Sequence, residues 1–479
     1  MAGLWETLHR WYRGTLYQAV VLGLISFTQP GIWDALNGLG AGGLATPYFV
    51  NASNVITYVI MIVMCPLFAI AGNRFSLKWV LVAGTIGYVP YFAALYCNSV
   101  FGTQWFLLFG SVTCGFSAAA LWVSEAAIAV GYPEIENRGT YIGIWMALNK
   151  LGSIIGNSVQ LALNINESDK GSISPKTYLV LIGLSCAGLP LALTVAPAHK
   201  LIRKDGSKPT FSSDENKISL KGGLKGFWKA TKQKYMLLLI PIFMTVRWSQ
   251  TYQGNYLAEY FSVRGRTLAA FIQTVVGIVA TVLWGWLLDS QKLFKSRRGM
   301  ALAGWLTMLA VFIPQWVLNF VMQAKLQGEN PTPSLDIYDQ GYGKAIAAYC
   351  LFGVGSQASV VWTYWILGTY DIHVDVLAYT TGILRSVESL GFAIAFGIGA
   401  SKNVSLMANL IVSFVVFWVS VPFTTYASCI VREPGSTSED SGAPIYKSVE
   451  DDAGGDLPPK LPHIQEQAHD LSYTPEPRV

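Results

Sequence analysis

Charge is scarce in this 479-residue chain: Asp, Glu, Lys and Arg together make up 13% of it, about half the share in an ordinary soluble domain. That shortage excludes a conventional soluble fold, and with it the several soluble domains that length alone suggests. Histidine is scarce too. His9, His199, His373, His463 and His469 all fall outside the long apolar windows, so a buried histidine relay is excluded and any proton coupling would use carboxylates. The six cysteines (Cys65, Cys97, Cys114, Cys186, Cys350 and Cys429) sit in or at the edges of apolar runs and form no CxxC. They read as small hydrophobes in helix packing rather than as disulfides or metal ligands. There is no Walker loop, no strand for a GxGxxG turn to follow and no His/Cys cluster with metal spacing, so no enzyme, metal or cofactor is expected. The N-terminal MAGLWETLHRWYRG lacks the charged, apolar, small-residue order of a cleaved signal peptide, which leaves the first apolar window as the insertion signal.

Apolar residues are what the chain has in abundance, 52% of the total with sixteen Trp, and its mean hydropathy is +0.41. Windows long enough to cross a hydrocarbon core of about 30 Å fall at 15–37, 53–72, 79–97, 103–129, 139–163, 177–196, 236–258, 267–288, 299–320, 343–368, 376–400 and 404–430. These predict an all-α polytopic membrane protein of twelve helices. The stretch 197–234 divides them six and six, with ten Lys and Arg against three acids. Each basic residue would cost about 2.5–3.5 kcal/mol at the centre of a bilayer, so this stretch is a connector and not a span. The expected organisation is therefore a short N-terminal segment (1–14), one six-helix half (15–196), the basic connector (197–234), a second half (235–430) and a polar, Pro-, Ser- and acid-rich tail (431–479) that lacks the apolar surface to fold alone.

With both termini cytoplasmic, Lys and Arg of the inner segments outnumber those of the outer segments by about three to one, as the positive-inside rule requires. The basic residues flank spans, so the net charge of +5 points to the lipid bilayer and not to nucleic acid. Three N-x-S/T sequons, Asn51, Asn166 and Asn403, all fall in outer loops on this topology. Asn166 is the best glycan acceptor, and the other two lie close to the bilayer. Small residues at helix spacing, Gly38, Gly40, Gly42 and Gly43 in span one and Gly152 with Gly156 in span five, read as close helix packing.

The two halves echo each other. Between spans two and three the chain reads Ala69-Ile-Ala-Gly-Asn73-Arg74-Phe75-Ser-Leu-Lys78. Between spans eight and nine it reads Gly285-Trp-Leu-Leu-Asp289, followed by Lys292, Lys295, Arg297 and Arg298. Both resemble the loop signature of the major facilitator superfamily, in which a carboxylate at a helix end and a basic cluster latch one conformation. Asn73 replaces the carboxylate in the first copy. The stretch Gln29-Pro-Gly-Ile-Trp-Asp34-Ala-Leu-Asn37-Gly-Leu-Gly-Ala-Gly-Gly43 resembles the first span of the Unc-93-like (uncoordinated-93) family in its fungal branch. So does Gly131-Tyr-Pro-Glu134-Ile-Glu-Asn-Arg138-Gly139, continuing through Asn149-Lys-Leu-Gly-Ser-Ile-Ile-Gly156. The resemblance implies a major facilitator fold over about residues 15–430, with any site near the midplane between the halves. For activity it implies two things at once, because animal members act as regulatory or trafficking subunits while fungal members are mostly taken as transporters.

Ionisable residues inside spans are costly and mark function by default. Asp34 and Asn37, three residues apart in span one after Pro30 and Gly31, read either as cavity contacts on a kinked helix or as the capped start of an interfacial helix. Arg247, followed by Gln250 and Gln253, makes a polar stripe deep in span seven. Arg385 and Glu388 are i, i+3 on span eleven and can neutralise each other. Lys150 in span five has no partner nearby in sequence. Glu125 lies near the inner end of span four, as a pathway residue or one reaching cytoplasmic water. Gln357 in span ten and Gln273 in span eight add hydrogen-bonding capacity, and Trp33 and Trp248 flank the polar stretches while other Trp form an interfacial belt. The cytoplasmic latch candidates are Asn73, Arg74, Asp289 and Arg297. The expectation is a secondary transporter moving a small solute, with or without a coupling ion, by alternating access. The alternative is a non-transporting subunit of a channel or receptor.

Overall fold

A bilayer offers no water to unpaired backbone groups, so apolar runs of this length satisfy their amides within helices. The computed structural model describes residues 10–44, 47–133, 138–203, 220–289, 296–369 and 374–431. Among these, twelve helical rods follow one another: α1 (Thr15–Gly38), α2 (Pro47–Arg74), α3 (Leu77–Phe101), α4 (Gln104–Gly131), α5 (Arg138–Asn164) and α6 (Pro175–Thr194), then α7 (234–260), α8 (Val263–Asp289), α9 (Arg297–Gly328), α10 (Tyr342–Thr369), α11 (Val374–Ala400) and α12 (Leu406–Cys429). Ten of them are long and apolar enough to cross a membrane. The two that fall short of that measure are α5 and α7, which hold Lys150 and Arg247. α7 is also broken, into Lys234–Thr245 and Ser249–Tyr260, with Arg247 in the intervening turn.

The observed helices match the expected windows with two notable extensions. α2 begins at Pro47 and α9 runs on to Gly328, because polar residues at their ends stay helical above the apolar core. The extension of α2 takes in Asn51, which is 3% exposed and donates from Nδ2 to Asn255 Oδ1 (2.8 Å) and the Gly399 carbonyl (3.1 Å). The expectation of an outer-loop glycan acceptor at Asn51 is therefore corrected: its amide is engaged inside the helical bundle. Asn166 and Asn403 are exposed in loops on the same face of the molecule, called here the sequon face. The opposite, connector face carries the loop ends of the latch motifs. The side chains of Asn73, Arg74 and Asp289 lie outside the described residues, as do most of the connector (204–219) and the tail from 432.

Span one packs on span five through glycine. A Cβ on Gly152 would lie 2.9 Å from the Phe27 Cα and closer still to its carbonyl oxygen, and one on Gly156 would meet the Ala35 Cβ at 2.6 Å. Backbone cannot move aside as a side-chain tip can, so Gly152→Ala is expected to lower the unfolding midpoint of the purified protein, by about 1–3 kcal/mol of overpacking. Gly183, within α6, has nothing within 4 Å of its absent Cβ, and Gly183→Ala should be neutral or slightly stabilising. Equal midpoints for the two variants would refute this packing argument.

The glycines after span one do something different from the helix packing expected of them. α1 ends at Gly38, and Gly40 and Gly43 adopt φ of 77° and 80°, left-handed geometry that favours glycine. A Cβ on Gly40 would lie 2.7 Å from the Gly254 carbonyl carbon, so this turn brings the first half directly against α7. Further contacts close the sequon face between halves. Tyr349 OH donates to the Gly38 carbonyl (3.1 Å), and the Val263 and Arg264 amides donate to the Asp169 and Glu167 carbonyls at 2.9 Å. Arg264 also forks onto Asp336 in the loop between α9 and α10, and these bonds hold the Asp336 carboxyl down at about 2.

On the connector face a short helix, Leu220–Thr231, lies across the seam. Gly223 fits against Ile70 of α2, and Phe227 meets Tyr379 of α11 edge-on at 6.5 Å. Lys221, Lys225 and Lys229 point outward beside the exposed Leu224 and Trp228, the make-up of a helix lying in a membrane interface.

Candidate functional site

The site is built where two helices lose regularity. In α1, Pro30 has no amide hydrogen to donate, and the helix widens into a π turn over Phe27–Gly31 before resuming at Ile32–Gly38. Gly31 keeps helical angles, so Asp34 follows a bulge and does not cap a new helix, which removes the interfacial-start reading. Carbonyls loosened by the bulge are met from α5: Ser153 Oγ donates to the Gly31 carbonyl at 3.2 Å. The bulge turns Asp34 toward the seam, where its Oδ1 lies 4.0 Å from Arg247 Nη1, each side chain 16% exposed.

Arg247 continues the chain of charge. Its Nε is 3.2 Å from Glu388 Oε1 but makes no aligned hydrogen bond there. Glu388 Oε2 accepts from Arg385 Nη1 at 2.7 Å, and the Arg385 guanidinium sits 4.0 Å over the Trp122 ring of α4. The order Asp34, Arg247, Glu388, Arg385 thus runs from the first half into the second and back to Trp122. Two unit charges 4 Å apart attract by about 4 kcal/mol at an effective dielectric of 20, and desolvation takes back a comparable amount. A matched set of this kind contributes little net stability. Its effect is to link the two halves at their seam.

A cavity enclosing ≈ 730 Å³, open mouth included, lies on one side of the Asp34–Arg247 pair. α5 presents Lys150, Ser153 and Asn157 to it, spaced i, i+3, i+7 and so on one face. The second half supplies amides: Gln250 and Gln253 from α7, Gln273 from α8 and Gln357 from α10. Gln273 Nε2 donates to Gln253 Oε1 (2.7 Å) and to the Tyr349 carbonyl (3.0 Å). Among the described residues, the side chains of Lys150, Gln250 and Gln357 make no hydrogen bond or ion pair. On the other side of the pair lies a smaller, aromatic lobe lined by Trp33, Tyr58, Tyr88, Trp122 and Phe392. Asp34 and Arg247 line both lobes and partition them.

Asp34, Lys150, Arg247, Gln250 and Gln357 therefore converge on one cavity, with Arg385 and Glu388 behind its partition. Three expected residues sit elsewhere. Asn37 turns away from Asp34 into a first-half network, accepting at Oδ1 from Asn54 Nδ2 and Tyr91 OH, both at 3.3 Å. Trp248 is buried and lines neither lobe. Glu125 does not reach cytoplasmic water: it is 0% exposed and accepts from Ser26 Oγ, at the end of the first regular stretch of α1, at 2.6 Å. Sequence reading missed Ser153 and Asn157, whose signal was the seven-residue stripe beginning at Lys150. It also missed Arg266, which is 2% exposed and donates to the carbonyls of Leu44 (3.3 Å), Gly43 (3.1 Å) and Gly171 (2.5 Å) across the seam. An arginine just outside the apolar window of span eight reads as one more loop charge.

Residues 14–396 match the family model described as Major Facilitator Superfamily. The chain is 32% identical over 429 residues to the Notoamide biosynthesis cluster protein O' of Aspergillus versicolor, covering 89% of each chain. It is 28% identical over 430 residues to an UNC93-like protein of Schizosaccharomyces pombe, covering 86% of this chain and 84% of that one. Among solved structures, the xylose transporter XylE of E. coli superposes with a TM-score of 0.56 at 11% identity, covering 88% of this chain and 98% of that one, a likeness of fold.

Proposed function

This chain belongs to the Major Facilitator Superfamily and is a relative of the UNC93-like proteins, and from that premise we propose that it is a secondary transporter. It moves a small polar solute by rocking two six-helix halves about the cavity at their seam. One observation carries this reading: ionisable side chains from both halves, Asp34 and Lys150 from the first and Arg247 from the second, meet at one cavity, with Glu388 behind Arg247. A docking scaffold has no use for costly charge at that depth. The direct closure of the sequon face corresponds to one end of the alternating cycle. Positive-inside charge supports a cytoplasmic connector, tail and latch loops, which would leave Asn166 and Asn403 on the far side as glycan acceptors.

The test is flux through purified protein in liposomes, offered pooled metabolites under proton and sodium gradients. Solute movement that Asp34→Asn abolishes, with thermal unfolding unchanged, is the expected result. No movement of any solute under either gradient would overturn the proposal and favour a regulatory subunit.

A further inference from the structure

We propose that the polar lobe binds a small organic anion, a carboxylate on a hydroxylated body, with the carboxylate on Lys150 and the body extended along α5 toward Asn157. This rests on the transport reading above and narrows it to a substrate class.

Of the ionisable groups at the cavity and its partition, the carboxylates Asp34 and Glu388 are matched in number by Arg247 and Arg385, and joined to them in one chain of pairs. Lys150 is left over. It lines the cavity and, among the described residues, has neither an ion pair nor a hydrogen bond. An ammonium at this depth is costly when the carboxylate that attracts it, Asp34, is already held by Arg247, and an anion carried in by the solute removes the cost while occupied. A cationic solute adds to the excess. A neutral one leaves it standing.

The shape of the body follows from unmet polar groups. Asn157 Nδ2 is committed to Thr274 Oγ1 at 2.8 Å, while its Oδ1 is buried with no donor. Asn157 lines the cavity, and an orphaned acceptor on a lining residue calls for a hydroxyl or N–H on the ligand. Lys150 and Asn157 are seven residues apart on one face, roughly 10 Å along the axis at 1.5 Å per residue, which an extended hydroxylated chain nearly spans. The free amides of Gln250 and Gln357 approach from the opposite half, so one solute would touch both halves and its occupancy would bias their rocking.

The probes are gluconate, glucose and glucosamine, which share a six-carbon skeleton and differ in charge, with acetate as the carboxylate alone. Binding is read by calorimetry and by the unfolding midpoint of the purified full chain in mildly acidic buffer. Gluconate should raise the midpoint with dose and acetate should do so weakly, while glucose and glucosamine should not. Lys150→Gln should weaken gluconate binding about tenfold or more, which is ~1.4 kcal/mol, and Lys150→Arg should restore most of it. The anion site is overturned if neither carboxylate shifts the wild-type midpoint, if glucose does so equally, or if Lys150→Gln binds gluconate as the wild type does. Binding needs no flux, so the two readings fail separately. Carboxylate binding through Lys150 without movement across liposomes keeps the site and removes the transport reading. Movement of a neutral or cationic solute that Lys150→Gln leaves unchanged keeps transport and overturns the anion site.

Discussion

Replacing Arg247 with Gln should abolish solute movement while leaving a folded, membrane-inserted protein. Among the described residues, Arg247 is the one that pairs with carboxylates from both halves, Asp34 at 4.0 Å and Glu388 at 3.2 Å. Its removal strands them unequally. Glu388 keeps Arg385, but Asp34 loses its ion pair and is drawn toward the Lys150 charge across the cavity. That would occupy the cation the solute needs and unlink the first half from α11. Removing one partner of a buried pair typically costs about 3 kcal/mol of stability. Part of that cost can be relieved without restoring function, which separates stability from transport. Arg247→Gln combined with Asp34→Asn removes one charge of each sign, takes away the stranded carboxylate, and should recover the unfolding midpoint but not the flux. Arg247→Lys keeps the charge but loses the planar fork that reaches two carboxylates, and should retain a fraction of the activity. Uptake into proteoliposomes and thermal unfolding, measured on the same preparations, decide the matter. Wild-type uptake by Arg247→Gln would show that the ion chain is incidental to transport.

Twelve helices were legible in the sequence because the bilayer sets both their length and their apolarity, and neither depends on which helix neighbours which. The candidate charges were legible for the same reason: Lys150 and Arg247 stand out only against apolar surroundings, and they sit in the two rods too polar to meet the apolar measure of a span. What sequence spacing could not reveal was partnership. Asp34 and Arg247 are more than two hundred positions apart, and only the π turn at Pro30 together with the break in α7 turns them toward each other. Asn37, one turn from Asp34, was expected to share its face, yet the bulge and the early end of α1 direct it to Tyr91 and Asn54 instead. Glu125 looked close enough to the helix end to find water, but burial is decided by what packs beside a residue, here Ser26 and Trp145. The glycines at 40 and 43 were read by composition as helix packing. Their positive φ values arise because the chain must turn within a few residues and meet Gly254 backbone to backbone.

Arg266 is where the closed sequon face is most open to attack, and Arg266→Ala should shift the protein toward a conformation open on that side. The guanidinium belongs to α8, and all three carbonyls it serves, on Gly43, Leu44 and Gly171, belong to the first half. No carboxylate pairs with it among the described residues, so its burial is compensated only while the faces meet. When the face opens, water can serve the guanidinium and the carbonyls alike. Closure is therefore held by the charge-assisted bonds in excess of that hydration, each worth about 1.5–3 kcal/mol. Truncation forfeits the whole set and leaves a gap, whereas Gly43 keeps only the Ile173 amide as donor to its carbonyl. A net loss of one such bond moves a two-state equilibrium by about tenfold or more. Spin labels at Lys176, at the start of α6, and Lys325, at the end of α9, report the separation of the halves on this face, since both side chains are exposed. The wild type in nanodiscs should give mainly a short distance. Arg266→Ala should add a longer one at its expense, and Arg266→Lys, which cannot reach three carbonyls from one plane, should fall between. Superimposable distributions for wild type and Arg266→Ala would mean that the loop amides at Val263 and Arg264, and the contact of Gly40 with Gly254, hold the face closed without the arginine. Transport adds a second reading of the same equilibrium: a face that no longer closes stalls the cycle even though Lys150 and its cavity are untouched, so Arg266→Ala should bind solute normally and move it slowly.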